Sequence, residues 1–269
     1  MKQVSRRTFL HAAGLAAAAS AAMGFRFSPN QAVPTSVLGF SQAGQPLAVY
    51  HYGGGPTRLF IMGAQHGGPE GNTAELVKGL MWFLDQNPGE IPPGVAIDMM
   101  PEMNVDGLAI GSRQYLSGVD PNRNWDGPGW ESDAYDSNGR FVRGLGGPEP
   151  MSEQETKALA QYLYWTHPLF VVNYHCSGNF MFGGGEGIQD ELAWLYSQAS
   201  GYRLPGAPAG GGGGGAAGRL GYRVSGAING WLRGQGIGNC LIELSNPWDP
   251  EYERNLRGFQ ALLGRLRPG

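Results

Sequence analysis

Short apolar runs rich in β-branched residues alternate with helical patterns along most of the chain, and this alternation constrains the fold more than any other feature. The runs Leu47 to Tyr52, Arg58 to Met62, Val95 to Met100, Leu169 to Tyr174 and Asn239 to Leu244 read as strands. Between them, Thr73 to Leu84 places Leu76, Val77, Leu80 and Phe83 at helical spacing. Ser152 to Trp165 opens with Ser152-Glu153-Gln154-Glu155, the pattern of a capping box. Glu191 to Ser200, Ser225 to Arg233 and Glu251 to Leu266 complete the expected helices. Strands alternating with helices predict a single α/β domain, with a mixed, mostly parallel sheet covered by helices on both faces. In such folds, ligands gather outside the carboxyl ends of the strands.

Composition narrows the function. A formal charge of −3, with 15% charged and 41% hydrophobic residues, excludes a basic nucleic-acid binder and a disordered chain. The 46 glycines follow no period of three, which excludes collagen and predicts many tight turns and close backbone approaches. Irregular stretches are expected over Gly107 to Pro150 and Ser177 to Gly187. The glycine tract Gly210 to Gly215 reads either as a surface linker or as a mobile flap at a site.

The first 21 residues read as a twin-arginine export signal. Ser5-Arg6-Arg7-Thr8-Phe9-Leu10 precedes a short Ala/Gly/Leu segment, and Ala19-Ser20-Ala21 supplies a cleavage site. The expected mature domain is residues 22–269, periplasmic or extracellular, with no later segment long enough to span a bilayer. Cys176 and Cys240 are either a disulfide formed after export or two free thiols.

Histidine is scarce. His66 and His175 each stand just past or at the end of an expected strand, and Glu70 follows His66 by four residues. Two imidazoles and a carboxylate make a His₂Glu set with an open position for water. His51 and His167 read as structural. Arg113 and the block Gly118-Val119-Asp120-Pro121-Asn122-Arg123-Asn124-Trp125 join arginines to amides, a combination suited to capturing a carboxylate or to forming a polar turn. Glu243 is isolated in the apolar strand Cys240-Leu241-Ile242-Glu243-Leu244, where a carboxylate is costly unless paired or working as a base.

At these residues the chain resembles the zinc carboxypeptidase family typified by carboxypeptidase A. The His66/Glu70 loop, Asn104 to Gly107, Gly118 to Trp125, Tyr174-His175 and Tyr222 through Glu243 match in order. The resemblance implies one zinc ion per chain, held by His66, Glu70 and His175, and hydrolysis of a C-terminal peptide bond by a zinc-activated water. It further implies Glu243 as general base, Arg113 as stabiliser of the oxyanion, and Asn122 and Arg123 as the clamp on the substrate's terminal carboxylate. Tyr222 takes the place of a mobile substrate-covering tyrosine, and Asn229 the bottom of the specificity pocket. Three residues separate His66 from Glu70 where the family has two, and Gly67 and Gly68 are expected to let the loop bulge. The resemblance leaves two alternatives to a peptide carboxypeptidase. One is a murein-peptide amidase, since the mature chain is short like the compact bacterial relatives; the other is a non-catalytic binding protein of the same fold.

Overall fold

The computed structural model describes residues 35–204 and 222–268. The expected signal at 1–21 and the glycine tract lie outside the described residues. A seven-stranded sheet runs in the order β1 (Thr35–Phe40), β2 (Pro46–Gly53), β4 (Val95–Met100), β3 (Thr57–Met62), β7 (Phe170–Cys176), β9 (Gly238–Leu244), β8 (Phe180–Gly184). The four central strands are mutually parallel, and the outer pairs are antiparallel. A small hairpin, β5 (Ala134–Tyr135) with β6 (Phe141–Val142), stands apart from the sheet.

Burial on both sides explains why the central strands are apolar throughout: Leu59, Phe60, Ile61 and Met62 of β3 are all fully buried. One face is covered by α1 (Gly71–Gln86), α4 (Ile188–Ser200) and α6 (Tyr252–Arg265), which contribute Leu76, Leu80, Leu192, Tyr196, Phe259 and Leu263 to one core cluster. The other face packs α3 (Gln154–Thr166) and α5 (Ile228–Gly234) through Leu159, Leu163, Trp231 and Leu232. Among the described residues no helix is long and apolar enough to cross a membrane.

The chain leaves β3 through α1 to β4 on one side and returns to β7 on the other. The order therefore reverses at the carboxyl ends of β3 and β7, where a crevice opens. His66 and His175 meet there.

Two expectations needed revision, and the alternative left open for the cysteines is resolved. The capping box does not form: α3 starts at Gln154, Ser152 Oγ receives Asn124 Nδ2 at 2.9 Å, and Glu155 Oε1 accepts the Gln42 amide at 2.8 Å. The stretch Ser177 to Gly187 holds β8, and Gly107 to Pro150 holds both hairpin strands and most of α2 (Val105–Ile110). Cys176 and Cys240 are free thiols, because Cys176 registers with Leu244 and Cys240 with Val172, four rungs away along the same strand pair.

His51 and His167 are built into the scaffold. His51 joins Ser36 of the edge strand to the buried Asp98, with both bonds at 2.8 Å, and His167 ends α3 in the left-handed region.

Candidate metal centre

His66, Glu70 and His175 converge, fully enclosed, at the crevice. His66 Nδ1 lies 2.8 Å from Glu70 Oε1, His175 Nδ1 lies 2.9 Å from Glu70 Oε2, and the two Nδ1 atoms are 3.2 Å apart. These separations are within about half an ångström of the ~3.3 Å expected between donors around a tetrahedral zinc.

The extra residue in the ligand loop is accommodated by glycine. Gly68 adopts φ +53°, and a Cβ on Gly67 would stand 2.2 Å from the Gly107 carbonyl carbon. The loop thus turns tightly against α2 and carries Glu70 into the cluster on a short 3₁₀ turn, Gly68–Glu70.

Surrounding groups orient the imidazoles. Gln65 Oε1 lies 2.9 Å from His175 Nε2, and because Gln65 Nε2 donates to the Pro121 carbonyl, its oxygen must face the ring. His175 therefore carries its proton on Nε2 and turns the bare Nδ1 lone pair toward Glu70 and His66. Burial lowers the pKa of this ring, with the His66 and Arg113 charges acting in the same direction and the Glu70 carboxylate opposing them. His66 Nε2 sits 3.0 Å from Asp120 Oδ1 and 2.9 Å from Arg113 Nη2. Burial pushes Glu70 and Asp120 upward, but the imidazoles facing both and the guanidinium facing Asp120 outweigh it and hold both well below the usual carboxylate range. Two nitrogens and a carboxylate oxygen converging at this spacing are a donor set that fits zinc.

Arg113 reaches directly into this cluster. Its Nη1 donates to Glu70 Oε1 at 2.6 Å and its Nε to Asp120 Oδ2 at 3.2 Å, and these acids raise its pKa against the effect of burial.

Glu243 is the neighbour of His175 in the parallel register of β7 and β9, so both side chains emerge on one face of the sheet. Phe180 of β8 registers with it from the other side. Burial, and secondarily the charge of Glu70, push its carboxyl up to about 8, and no described residue gives it a hydrogen bond or ion-pair partner.

Three residues beyond Asp120, Arg123 is 3% exposed; it donates to two backbone carbonyls, Tyr135 O from Nε and Asn122 O from Nη1, each at 2.9 Å, and to the Tyr222 hydroxyl. No carboxylate pairs with it among the described residues. Asn122 Oδ1 accepts the Ile228 amide at 3.0 Å, fixing the start of α5. Tyr222 approaches Arg123, which partly offsets the upward push of burial on its hydroxyl. Asn229 lies on α5 and donates from Nδ2 to Asn239 Oδ1 at 2.6 Å, while its own oxygen is enclosed without a partner among the described residues.

The structure thus gathers the three candidate ligands, Arg113 and Glu243 around one point, with Asn122, Arg123 and Tyr222 beside it. Sequence reading passed over Gln65, Asn173 and the orienting role of Asp120. Asp120 stood in the quoted block, but only the packed structure shows what it faces.

Comparison with known proteins identifies the family. The family model described as zinc carboxypeptidase matches residues 31–185, more than half of the chain and inclusive of all three candidate ligands. Murein peptide amidase A of Escherichia coli K12 is 38% identical over 79 residues, which is 27% of this chain and about a third (33%) of that protein's length. Among solved structures, the murein-tripeptide amidase of Escherichia coli O157 superposes with a TM-score of 0.64 at 23% identity, covering 90% of this chain and 96% of that one. Bovine thrombin-activatable fibrinolysis inhibitor, in complex with tick carboxypeptidase inhibitor, gives 0.67 at 17% identity, covering 98% and 95%. At such identities the superpositions establish the fold, while the family match establishes membership. This chain belongs to the zinc carboxypeptidase family.

Proposed function

We propose that the protein is a zinc-dependent metallocarboxypeptidase that releases the C-terminal residue of a peptide. The observation that carries this reading is Arg123: a buried guanidinium without an acidic partner is costly and calls for an anion, and it stands beside a His₂Glu cluster. A peptide's terminal carboxylate supplies that anion and places the last amide bond near the cluster.

His66, Glu70 and His175 would hold the zinc, which when bound polarises the scissile carbonyl and makes water a better nucleophile. Glu243 takes the proton from the attacking water as the C–O bond forms, and returns it to the leaving nitrogen as the C–N bond breaks. Its raised pKa, set by burial, suits a group that must both accept and give up a proton near neutrality. Arg113 spends two N–H groups on Glu70 and Asp120, leaving three of its five, including both on Nη2, for the substrate oxygen on which charge develops. Tyr222 closes over the bound residue beside Arg123.

The likeness to murein peptide amidases favours a second reading, in which the same residues cut an amide within a cell-wall peptide. The twin-arginine pattern of residues 1–21 supports export of residues 22–269 toward such a substrate.

Metal analysis combined with mass spectrometry of the products from a blocked dipeptide and from a murein tripeptide tests these readings. About one equivalent of zinc and loss of the dipeptide's C-terminal residue are expected. Cleavage of the murein peptide alone would establish the second reading. Less than about half an equivalent of zinc with no cleavage would establish a binding protein of this fold.

A further inference from the structure

A second group of chemistry-bearing side chains stands at the far edge of the sheet, where β2 and β4 separate the outermost strand β1 from β3 and the metal cluster. Ser36 Oγ on β1 lies 2.8 Å from His51 Nε2 on β2, and His51 Nδ1 lies 2.8 Å from Asp98 Oδ1 on β4. Strand register brings the three together. His51 is directly opposite Asp98, and Ser36, opposite Val49, is diagonal to His51 on the same face.

Asp98 fixes the direction in which the imidazole works. Its side chain is enclosed, and its Oδ2 accepts from Arg58 Nη1 at 2.5 Å and from the Tyr162 hydroxyl at 2.7 Å. Oδ1 is left to His51, and a carboxylate oxygen can only accept. The ring proton therefore sits on Nδ1, and the bare Nε2 accepts the hydroxyl proton of Ser36. A serine donating to an imidazole that an enclosed carboxylate orients is the arrangement that makes a hydroxyl nucleophilic.

Access and a donor for developing charge are also present. Ser36 is exposed and the His51 side chain is 27% exposed, so the nucleophile faces solvent while the acid does not. Among the described residues no strand lies beyond β1, so alternate amides along it point outward. Of the consecutive amides of Ser36 and Val37, one does so, a donor beside the point where an oxyanion would form. Helix α3 runs along β1 in the opposite direction. Gln154 donates to the Phe40 carbonyl, a Cβ on Gly39 would stand 3.2 Å from Ala158, and Tyr162 reaches Asp98. This succession carries Trp165, one turn beyond Tyr162 and 81% exposed, toward the start of β1, where its ring offers an apolar surface to an acyl group.

We propose that Ser36, His51 and Asp98 form a second hydrolytic site, separate from the metal cluster, that cleaves carboxylic esters with an apolar acyl group. Ser36 Oγ attacks the ester carbonyl as its proton passes to His51 Nε2. The tetrahedral adduct collapses by breaking the bond to the alcohol oxygen, which takes the proton from His51 and leaves the acyl group on Ser36. Water then attacks the acyl-serine and gives a proton to His51, which returns it to Ser36 Oγ as the carboxylic acid departs.

The purified full chain is treated with an alkyl fluorophosphonate, whose fluoride a reactive serine displaces, and adducts are mapped by peptide mass spectrometry. Release of p-nitrophenolate from p-nitrophenyl butyrate is followed in parallel, with and without a zinc chelator. The adduct should sit on Ser36 and be absent from Ser117, an exposed serine whose hydroxyl donates to Glu153 instead of to an imidazole. Ser36→Ala should lose the adduct and at least nine-tenths of the chelator-insensitive release. His51→Gln should slow labelling of Ser36 by about 10²-fold or more, with melting temperatures confirming that both variants fold. Ser36 left unlabelled, equal labelling of Ser117, labelling without phenolate release, or chelator-insensitive release at the wild-type rate in Ser36→Ala would each overturn the proposal. None of these outcomes bears on the peptide-hydrolase reading, which rests on other residues.

Discussion

Gly67→Ala isolates the role of glycine in the ligand loop. Gly67 has φ −82° and ψ −160°, values open to any residue, so alanine there suffers no backbone strain. Its Cβ would instead lie 2.2 Å from the carbonyl carbon of Gly107, 2.4 Å from the Leu108 nitrogen and 2.6 Å from the Gly107 Cα. Restoring ordinary contact near 3.4 Å requires the two backbone segments to part by about 1.2 Å. Gly67 is tied to Arg113 O through its own nitrogen and to the Glu70 amide through its oxygen, each at 3.3 Å, so the displacement reaches the cluster. Zinc sites tolerate only about 0.2 Å in ligand distance. We expect a stability loss of about 1–3 kcal/mol, a melting point lower by roughly 2–4 °C per kcal/mol, and zinc affinity reduced at least tenfold. Gly111→Ala is the control: φ is +72° with nothing within 4 Å of the added Cβ, so it costs about 1 kcal/mol of strain without touching zinc. Thermal melts and a chelator competition titration read both variants. Wild-type zinc affinity in Gly67→Ala, or equal losses in the two, would refute the packing argument.

Asp120→Asn should weaken zinc binding roughly 10- to 100-fold by releasing His66. Because the Asp120 pKa is depressed on folding, its stabilisation is fully present above the ordinary value near 4 and is lost as pH falls through the folded value. The acid limb of the stability curve should therefore be shallower in Asp120→Asn than in wild type, measured by denaturant titration below about pH 4. Arg123→Gln should raise KM for peptides with a free terminus and leave the already poor cleavage of C-terminal amides unchanged, so that the wild-type preference between the two collapses. Intact mass should show no 2 Da change on reduction, and Cys240, buried in the core, should react with thiol reagents only after unfolding.

Sequence periodicity revealed the parts of the fold whose burial is dictated locally. Val95 to Met100 is apolar on both faces apart from Asp98, as a central strand must be, and the structure places a strand over those residues. The β1 strand escaped notice because an edge strand packs on one side only, and its Thr-Ser-Val-Leu-Gly-Phe shows no clear alternation. The β8 strand lies among glycines and owes its form to pairing with β9, a long-range contact that no local pattern reports. The same distinction holds at the site. His66, Glu70, His175 and Glu243 are scarce or misplaced residue types and are conspicuous in the sequence. Gln65 and Asn173, at 2.9 and 3.0 Å from His175 Nε2, are ordinary polar residues whose role arises only where β3 and β7 come side by side. The Ser152 box failed for the complementary reason, since tertiary partners claimed its hydroxyl and Glu155 before the helix could use them.

We propose that Glu243 handles the proton beside a metal held by His66, Glu70 and His175. Parallel measurement of bound zinc and single-turnover hydrolysis of a blocked dipeptide in wild type and Glu243→Gln tests it most directly. About one zinc per chain is expected in both proteins, with a rate lower by roughly 10² to 10⁴ in the variant. Hydrolysis by Glu243→Gln at the wild-type rate with its zinc in place would contradict it.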